Sequence, residues 1–215
     1  MKVAILSGSV YGTAEEVARH AVKLLNAAGF EAWHNPRATL AELQAFAPQA
    51  FLAVTSTTGM GELPDNLLPL YSSIRDQLPA AWRGLPGAVI GLGDSSYGDT
   101  FCGGGEQMRE LFAELGVQEV LPMLRLDASE SVTPETDAEP WLAELISALR
   151  ADRLFPQQRQ PGLRCLGQIS ALAPDEGDIP SQVVRRLQGQ AHHPRPHQAT
   201  GHHTCLLYTS PSPRD

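Results

Sequence analysis

The chain has 215 residues, of which 42% are hydrophobic, and it carries a formal net charge of −8 at pH 7. This length is enough for one domain with a tail or for two small domains. Residues 1–150 hold 9 Lys and Arg against 19 Asp and Glu, whereas residues 151–215 hold 7 against 5. An acidic domain of this kind argues against nucleic acid or an anionic membrane as its partner and favours basic proteins.

Cysteine usage and hydropathy limit the compartment and the kinds of site. Cys102 is the only cysteine in residues 1–150, so this part can form neither a disulfide framework nor a cysteine metal site. The apolar run at the start is too short for a signal peptide, and no stretch approaches the roughly 20 apolar residues of a membrane span. We therefore expect a cytoplasmic protein with no membrane partner.

Short apolar runs alternate with helical patterns along residues 1–150, which is typical of a parallel sheet covered by helices. In chain order the predicted elements are strand Lys2–Leu6, helix Glu15–Ala28, strand Phe30–Trp33, helix Leu40–Phe46, strand Phe51–Thr55, helix Leu67–Leu78, strand Ala88–Leu92, helix Glu106–Leu115, strand Val120–Leu126 and helix Glu139–Leu149. Five strands and five helices predict one doubly wound α/β domain. In such folds the ligand lies beyond the carboxyl ends of the strands.

Residues 151–215 have a different character. Residues 151–204 lack lysine, show no sustained apolar periodicity and include HHPRPHQATGHH, with five of the seven histidines. Metal capture is one interpretation of that tract, and we favour the other, a disordered or artefactual tail. The last eleven residues, CLLYTSPSPRD, match a translated reading frame of a common sequencing-library adapter, so we exclude the tail from fold reasoning.

The loop after the first strand, SGSVYGTAEE, is rich in hydroxyl groups and glycine. Together with free N–H groups at the start of the next helix, Ser7, Ser9 and Thr13 offer neutral donors to a phosphate. A P-loop would require a lysine, and a dinucleotide-binding loop would require the spacing GxGxxG; the sequence has neither. A loop that only caps the helix is equally compatible with these residues.

The loop after the fourth strand, GLGDSSYGDTFCGGG, combines many glycines with a single tyrosine. Tyr97 would cover one face of a planar ligand by stacking, while Gly93 and Asp94 would offer backbone groups to the edge of its ring. Phe101 and Cys102 are expected to pack into the core. Beside a phosphate-binding loop, this pattern indicates a phosphorylated, flat, conjugated ligand.

Three loop sequences, SGSVYGTAEEVA, STTGMGELPDN and GLGDSSYGDTFCG, closely resemble the FMN-binding loops of the flavodoxin family in order and spacing. The resemblance covers residues 1 to about 150. The long insertion of long-chain members is absent, so the chain resembles a short-chain flavodoxin, and its second and third loops are similar to those of MioC-like members. The resemblance implies a flavodoxin-like three-layer α/β sandwich with a five-stranded parallel sheet in the order 2-1-3-4-5.

The resemblance also implies how FMN is held. The loop after the first strand would bind the phosphate with help from Ser56 and Thr57, and Tyr97 would stack on the isoalloxazine. The cofactor-binding residues predicted in this way are Ser9, Val10, Tyr11, Gly12, Thr13, Ala14, Ser56, Thr57, Thr58, Gly59, Met60, Leu92, Gly93, Asp94, Tyr97, Phe101 and Cys102. We predict neither a catalytic residue nor a metal site.

Two positions depart from the family pattern. Ala14 stands where the family often has a further threonine, which removes one hydroxyl donor. Thr58 stands where many flavodoxins place an aromatic residue against the inner flavin face, which leaves Thr58, Met60 or Leu63 to cover that face. We therefore expect FMN to bind more loosely than in a typical family member.

The implied function is that of a low-potential electron carrier between a reductase and acceptor proteins. FMN would supply the redox chemistry, and the carbonyl of Gly59 would accept the hydrogen on flavin N5, because glycine tolerates a positive φ. Acidic side chains nearby would disfavour the anionic, fully reduced flavin and steer basic redox proteins in a salt-sensitive way. These acids are Glu62, Asp65, Asp94 and Asp99.

Two other functions stay open at this point. One is a small FMN-dependent NAD(P)H or quinone oxidoreductase, and the other is a flavodoxin-like binding module without a cofactor. No base or nucleophile stands in the three loops, and we expect His20 and His34 to be surface residues. A carrier without a substrate of its own is therefore favoured over an enzyme.

Overall fold

The computed structural model describes residues 1–154, and the predictions made for the tail beyond them lie outside the described residues. Six strands and six α-helices make up the described part. They are β1 Lys2–Gly8, α1 Thr13–Ala27, β2 Glu31–His34, α2 Leu40–Phe46, β3 Ala50–Ser56, α3 Leu68–Gln77, β4 Pro86–Gly93, α4 Gly103–Leu115, β5 Gln118–Glu119, β6 Leu124–Asp127, α5 Pro134–Asp137 and α6 Glu139–Leu154, with short 3-10 helices at Ala80–Trp82 and Ser95–Thr100.

All strand pairs are parallel, and the sheet order is β2-β1-β3-β4-β5, with β6 also paired to β4. The predicted fold and strand order are therefore confirmed. The single fifth strand predicted at Val120–Leu126 was wrong in its extent. Instead, β5 pairs with the start of β4 and β6 with its end. Between them lies Pro122, which has no N–H to donate to a neighbouring strand.

The core lies on both faces of the sheet, as the alternation of side chains along a strand requires. Val3 and Ile5 of β1 pack on one face with α1 and α6. Ala4 and Leu6 of the same strand pack on the other face with α2, α3 and α4. This arrangement is the three-layer sandwich predicted from the sequence. No helix among residues 1–154 has both the length and the apolar character needed to cross a membrane.

The sheet places three loops side by side at its carboxyl edge. The first loop (residues 9–12) follows β1, the second loop (residues 57–67) follows β3, and the third loop (residues 94–102) follows β4. Because β1, β3 and β4 are consecutive neighbours in the sheet, the three loops are neighbours too. This edge is where the candidate site lies.

Candidate cofactor site

The first loop forms a turn that leaves backbone donors open. Ser9 Oγ accepts the N–H of Gly12 at 2.9 Å. Gly12 has a φ of +92°, which favours glycine. Helix α1 then begins without a side-chain cap. Five N–H groups on either side of the bonded Gly12 N–H have no acceptor within residues 1–154, those of Val10, Tyr11, Thr13, Ala14 and Glu15. Unpaired N–H groups at a helix start are a ready anion site.

Some side chains of this segment are exposed to solvent, and others are buried in the core. Tyr11 is 95% exposed and Val10 is 55% exposed. Ala14 is fully buried and packs in the core with Val17 and Ala18. Its methyl group is therefore committed to packing, and what Ala14 offers a ligand is its backbone N–H. The expected effect of Ala14 on FMN affinity stays a prediction.

The second loop contains a tight turn closed by two reciprocal backbone hydrogen bonds. The N–H of Thr58 donates to the carbonyl of Glu62 at 2.9 Å, and the N–H of Glu62 donates back at 2.8 Å. Gly59 has a φ of +51° within this turn. Met60 is 81% exposed, and its N–H donates to the Glu62 carboxylate at 2.7 Å. The turn therefore presents its tip to solvent.

Two hydroxyl groups at the end of β3 join neighbouring strand ends. Ser56 Oγ donates to the carbonyl of Gly8 at 3.4 Å. Thr57 Oγ1 donates to the carbonyl of Leu92 at 3.0 Å and accepts the N–H of Gly104 at 3.3 Å. In this structure both hydroxyls hold the loops together, and their predicted contact with a phosphate stays a prediction.

Of the three residues expected to cover the inner flavin face, only two are accessible. Leu63 is 1% exposed and belongs to the core on the α3 and α4 side of the sheet. Thr58 is half-buried, and its hydroxyl donates to the carbonyl of Glu62 at 3.2 Å. Covering that face would therefore fall to Thr58 and Met60, without the Leu63 side chain that the sequence analysis also considered.

The third loop is anchored at its start by hydrogen bonds to two carboxylates. Asp94 caps the 3-10 helix Ser95–Thr100 by accepting the N–H of Ser96 at 2.9 Å. Asp127, which ends β6, accepts the N–H of Ser95 at 3.2 Å. Hydrogen bonds from the Ser95 side chain and the Ser129 backbone hold the pKa of Asp127 at about 2. Tyr97 lies within this anchored loop and is 69% exposed.

Phe101 and Cys102 end the third loop. Phe101 is half-buried, whereas Cys102 is fully buried, as the sequence analysis expected. Cys102 Sγ donates to the carbonyl of Gly91 at 3.4 Å, and burial raises the pKa of its thiol to about 11. A Cβ on Gly93 would lie 2.7 Å from the backbone nitrogen of Cys102. The base of this loop is therefore closely packed, and it consists of Leu92, Gly93 and Cys102.

The glycines at the end of the third loop serve contacts within the protein. Helix α4 begins at Gly103, three residues before the predicted start at Glu106. A Cβ on Gly103 would lie 2.8 Å from the carbonyl oxygen of Gly61, and one on Gly104 would lie 2.6 Å from that of Ser56. Only glycine allows the helix to approach the second loop this closely.

Two contributors were missed in the sequence analysis. Asn66 bonds to the carbonyl and N–H groups of residues on either side of Gly8, although an asparagine in a loop carries no distinctive signal. His34 is the last residue of β2 and is half-buried, with Nε2 2.8 Å from Ser7 Oγ, so the expectation of a surface histidine was wrong. Burial lowers the pKa of His34.

Exposed apolar side chains are concentrated on these loops. Seven large apolar residues are exposed in the described part of the chain, and four of them stand on the three loops: Val10, Tyr11, Met60 and Tyr97. Exposed apolar residues grouped around polar donors are typical of a surface that a ligand or partner covers. A row of anion donors beside aromatic and apolar side chains suits a flat ligand with a phosphate.

Comparison with known proteins gives the family. A family model described as Flavodoxin matches residues 5–141. A solved cysteine variant of flavodoxin from Pseudomonas aeruginosa is 83% identical, covering 70% of this chain and 99% of that one, with a TM-score of 0.68. Flavodoxin YqcA from Escherichia coli is 40% identical over 143 residues, or 66% of this chain and 95% of that protein.

Protein MioC from Escherichia coli is also similar, with 35% identity over 150 residues, covering 69% of this chain and 98% of that protein. These findings confirm the predicted resemblance to short-chain, MioC-like flavodoxins. Flavodoxins are FMN-binding electron-transfer proteins, so the predicted cofactor and the coarse function follow from the family. The chain belongs to the flavodoxin family.

Proposed function

We propose that this chain binds FMN across its three loops and carries electrons at low potential from a reductase to acceptor proteins. The observation that carries the proposal is the run of open N–H groups between Val10 and Glu15 at the start of α1. Each hydrogen bond from a neutral donor to a charged phosphate oxygen contributes about 1.5–3 kcal/mol. Several such donors suit a phosphate monoester without requiring a lysine or arginine.

The other two loops supply surfaces for the ring system. Tyr97 is exposed on the third loop and Met60 is exposed on the second. Aromatic stacking on Tyr97 would add about 0.5–1.5 kcal/mol beyond the burial of area. FMN, when bound, supplies one- and two-electron redox chemistry. The chain's own contribution is to hold the phosphate, cover the ring and keep water from its faces.

The second loop also offers a backbone acceptor for the proton that accompanies reduction. The carbonyl oxygen of Gly59 accepts no hydrogen bond from any residue in 1–154. The neighbouring N–H of Met60 is already bonded to Glu62. We assign the Gly59 carbonyl as the acceptor for a hydrogen on flavin N5, because it is unbonded and belongs to an exposed glycine whose φ of +51° allows the peptide to turn.

Acidic side chains on the second and third loops would favour release of the second electron and would select basic partner proteins. Glu62, Asp65 and Asp99 are exposed on the second and third loops, and Asp94 is half-buried beside them. Like charge disfavours an additional negative charge on a bound ligand, so the second electron would be given up readily. The same acidic side chains would attract basic reductases and acceptors, with docking weakened by salt. The cytoplasmic location also stays a proposal.

A reductive titration tests this function. The chain is mixed with FMN, reduced stepwise with dithionite under argon, and then offered to an oxidised cytochrome while the visible absorption of flavin and haem is followed. The proposal expects stoichiometric binding, slow reduction by NADPH alone and rapid transfer from the dithionite-reduced protein to the cytochrome. Multiple turnovers of NADPH without a reductase would indicate an oxidoreductase, and failure to bind FMN would indicate a cofactor-free module.

A further inference from the structure

We propose that Asn66 is a positioning residue that sets the affinity of this site for the phosphate of its ligand by holding the first loop in place. This inference rests on the proposed function, because it assumes that FMN is the ligand. Asn66 lies in the second loop, and the open N–H groups of the proposed phosphate site belong to the first loop and the start of α1.

The side-chain amide of Asn66 bonds to three backbone groups on two segments of the chain. Its Oδ1 accepts the N–H of Ser9 at 3.0 Å. Its Nδ2 donates to the carbonyl of Ser7 at 3.3 Å, at the end of β1, and to the carbonyl of Pro36 at 3.4 Å, in the connection between β2 and α2. Both donor hydrogens and the acceptor oxygen of this amide are therefore used.

These contacts fix the first loop from behind. Ser9 is held twice, since its N–H is bonded to Asn66 and its Oγ accepts the N–H of Gly12. The open N–H groups follow immediately, beginning at Val10. Because Asn66 occupies the Ser9 N–H and the Ser7 carbonyl, it sets the direction in which the chain leaves β1. The direction of the chain determines where the free donors point.

Loss of the amide is expected to act on phosphate binding more than on folding. Asn66 is half-buried and lines an open groove with Arg37, Thr39 and Asp65. Water that enters from this groove can bond to Ser7 and Ser9 when the amide is removed, so the fold tolerates the change. Water does not hold the two segments at a fixed separation, so the donor geometry loosens.

The test compares FMN with riboflavin, which lacks the phosphate. Dissociation constants for both are measured by flavin fluorescence quenching with the full chain, for the wild type and for Asn66→Ala. We expect affinity for FMN to fall about tenfold, the equivalent of one hydrogen bond to a charged group. Affinity for riboflavin should change less than twofold, because the ring contacts lie elsewhere.

Two further variants make the test specific. Asn66→Ser keeps a small, uncharged polar side chain that is too short to bond to both Ser7 and Ser9, so its ratio of FMN to riboflavin affinity should also fall. This variant also serves if Asn66→Ala does not fold. Asn26→Ala is the matched control, because Asn26 Oδ1 accepts the N–H of Ala32 at 3.0 Å at the opposite end of α1. Its affinity ratio should equal that of the wild type.

The outcomes separate this inference from the proposed function. If the wild type binds FMN and both Asn66 variants keep its ratio of FMN to riboflavin affinity, the positioning role is overturned and the proposed function stands. Parallel losses for both flavins would show a merely structural residue and would also overturn the role. If the wild type does not bind FMN, the proposed function itself fails and this inference falls with it.

Discussion

Helices α1 and α4 begin with similar backbone conformations, but the start of α1 is open to solvent and the start of α4 is packed against protein. Both helices follow a central strand, both lack a side-chain cap, and the residue before each has a positive φ, +92° at Gly12 and +58° at Cys102. A Cβ added at Gly12 would meet no atom within 4 Å, whereas one at Gly104 would lie 2.6 Å from a backbone oxygen. One junction is open and the other is filled by protein.

The difference shows what glycine-rich junctions can do in one fold. At α4 the first-turn N–H of Gly104 is satisfied by Thr57, so the glycines allow helix and loop to pack. At α1 the N–H of Ala14, which stands at the same position of its helix, has no acceptor within residues 1–154. The open junction is therefore the one that suits an anionic ligand, and the filled junction is structural support for it. Substitutions at the two junctions should separate these roles.

The largest effect is expected from Gly104→Ala. The new methyl group would collide with the carbonyl oxygen of Ser56, which is backbone and cannot rotate away. Overpacking of this kind costs about 1–3 kcal/mol, and this case should lie near the upper end. Urea denaturation followed by circular dichroism measures the loss. A variant as stable as the wild type would show that the α4 junction is not closely packed.

A smaller loss of stability is expected from Thr57→Val. This change leaves the N–H of Gly104 and the carbonyl of Leu92 without the hydroxyl that now bonds to both. Losing those two bonds should lower the free energy of unfolding by about 1–2 kcal/mol. Thr100→Val is the control, because the Thr100 hydroxyl donates to the carbonyl of Tyr97 where water can replace it. Equal losses in the two variants would contradict the bridging role.

Gly12→Ala should lower the free energy of unfolding modestly and should clearly weaken binding of FMN. A non-glycine residue at a φ of +92° costs about 1 kcal/mol through backbone strain, with no steric clash. Relief of that strain turns the adjacent N–H groups, so affinity for FMN should fall in a fluorescence titration.

Gly29→Ala is the matched control for this change. Gly29 has a φ of +85°, also with no atom within 4 Å of an added Cβ, and it follows the other end of α1. Its loss of stability should be similar, while its affinity for FMN should equal that of the wild type. Equal losses of affinity in the two variants would remove the distinction between the two ends of the helix.

The smallest effect concerns the dependence of stability on pH. Burial lowers the pKa of His34 in the folded chain below the ordinary value of 6.5. The negative charge of Glu15 raises this pKa and the positive charge of Arg19 lowers it, and both effects are smaller than that of burial. Below pH 6.5 the unfolded chain therefore binds the proton more readily, so stability should fall as the pH drops through that value. His34→Gln should flatten this slope in urea titrations between pH 7.5 and pH 5. An unchanged slope would mean that His34 does not contribute.

The sequence predicted most of the architecture, because that information is local. Apolar runs and helical periodicity located the elements, including the end of α4 at Leu115. The divided edge strand was missed because the interruption at Pro122 lies inside an otherwise apolar run. The start of α4 was missed because Gly103 is a poor helix former in isolation, and only its closeness to Gly61 explains it.

The sequence predicted which loops form the candidate site, but it did not predict the hydrogen bonds that join those loops to the rest of the fold. Hydroxyl-rich and glycine-rich motifs at three strand ends indicated a phosphate and a flat ring. Whether a hydroxyl faces a ligand or another strand depends on tertiary neighbours, and Thr57 is an example. The contacts of Asn66 and His34 join residues that are 57 and 27 positions apart, and no local pattern reveals such pairs.

The most direct measurement of the central claim is the difference between the amide NMR spectra of the FMN and riboflavin complexes. The two ligands differ only in the phosphate, so the difference reports where the phosphate lies. We predict that the shifts change at Val10, Tyr11, Thr13, Ala14 and Glu15, with downfield amide protons, while Gly103, Gly104 and Gly105 stay unchanged. Differences concentrated at α4, or an absence of differences at α1, would contradict the account.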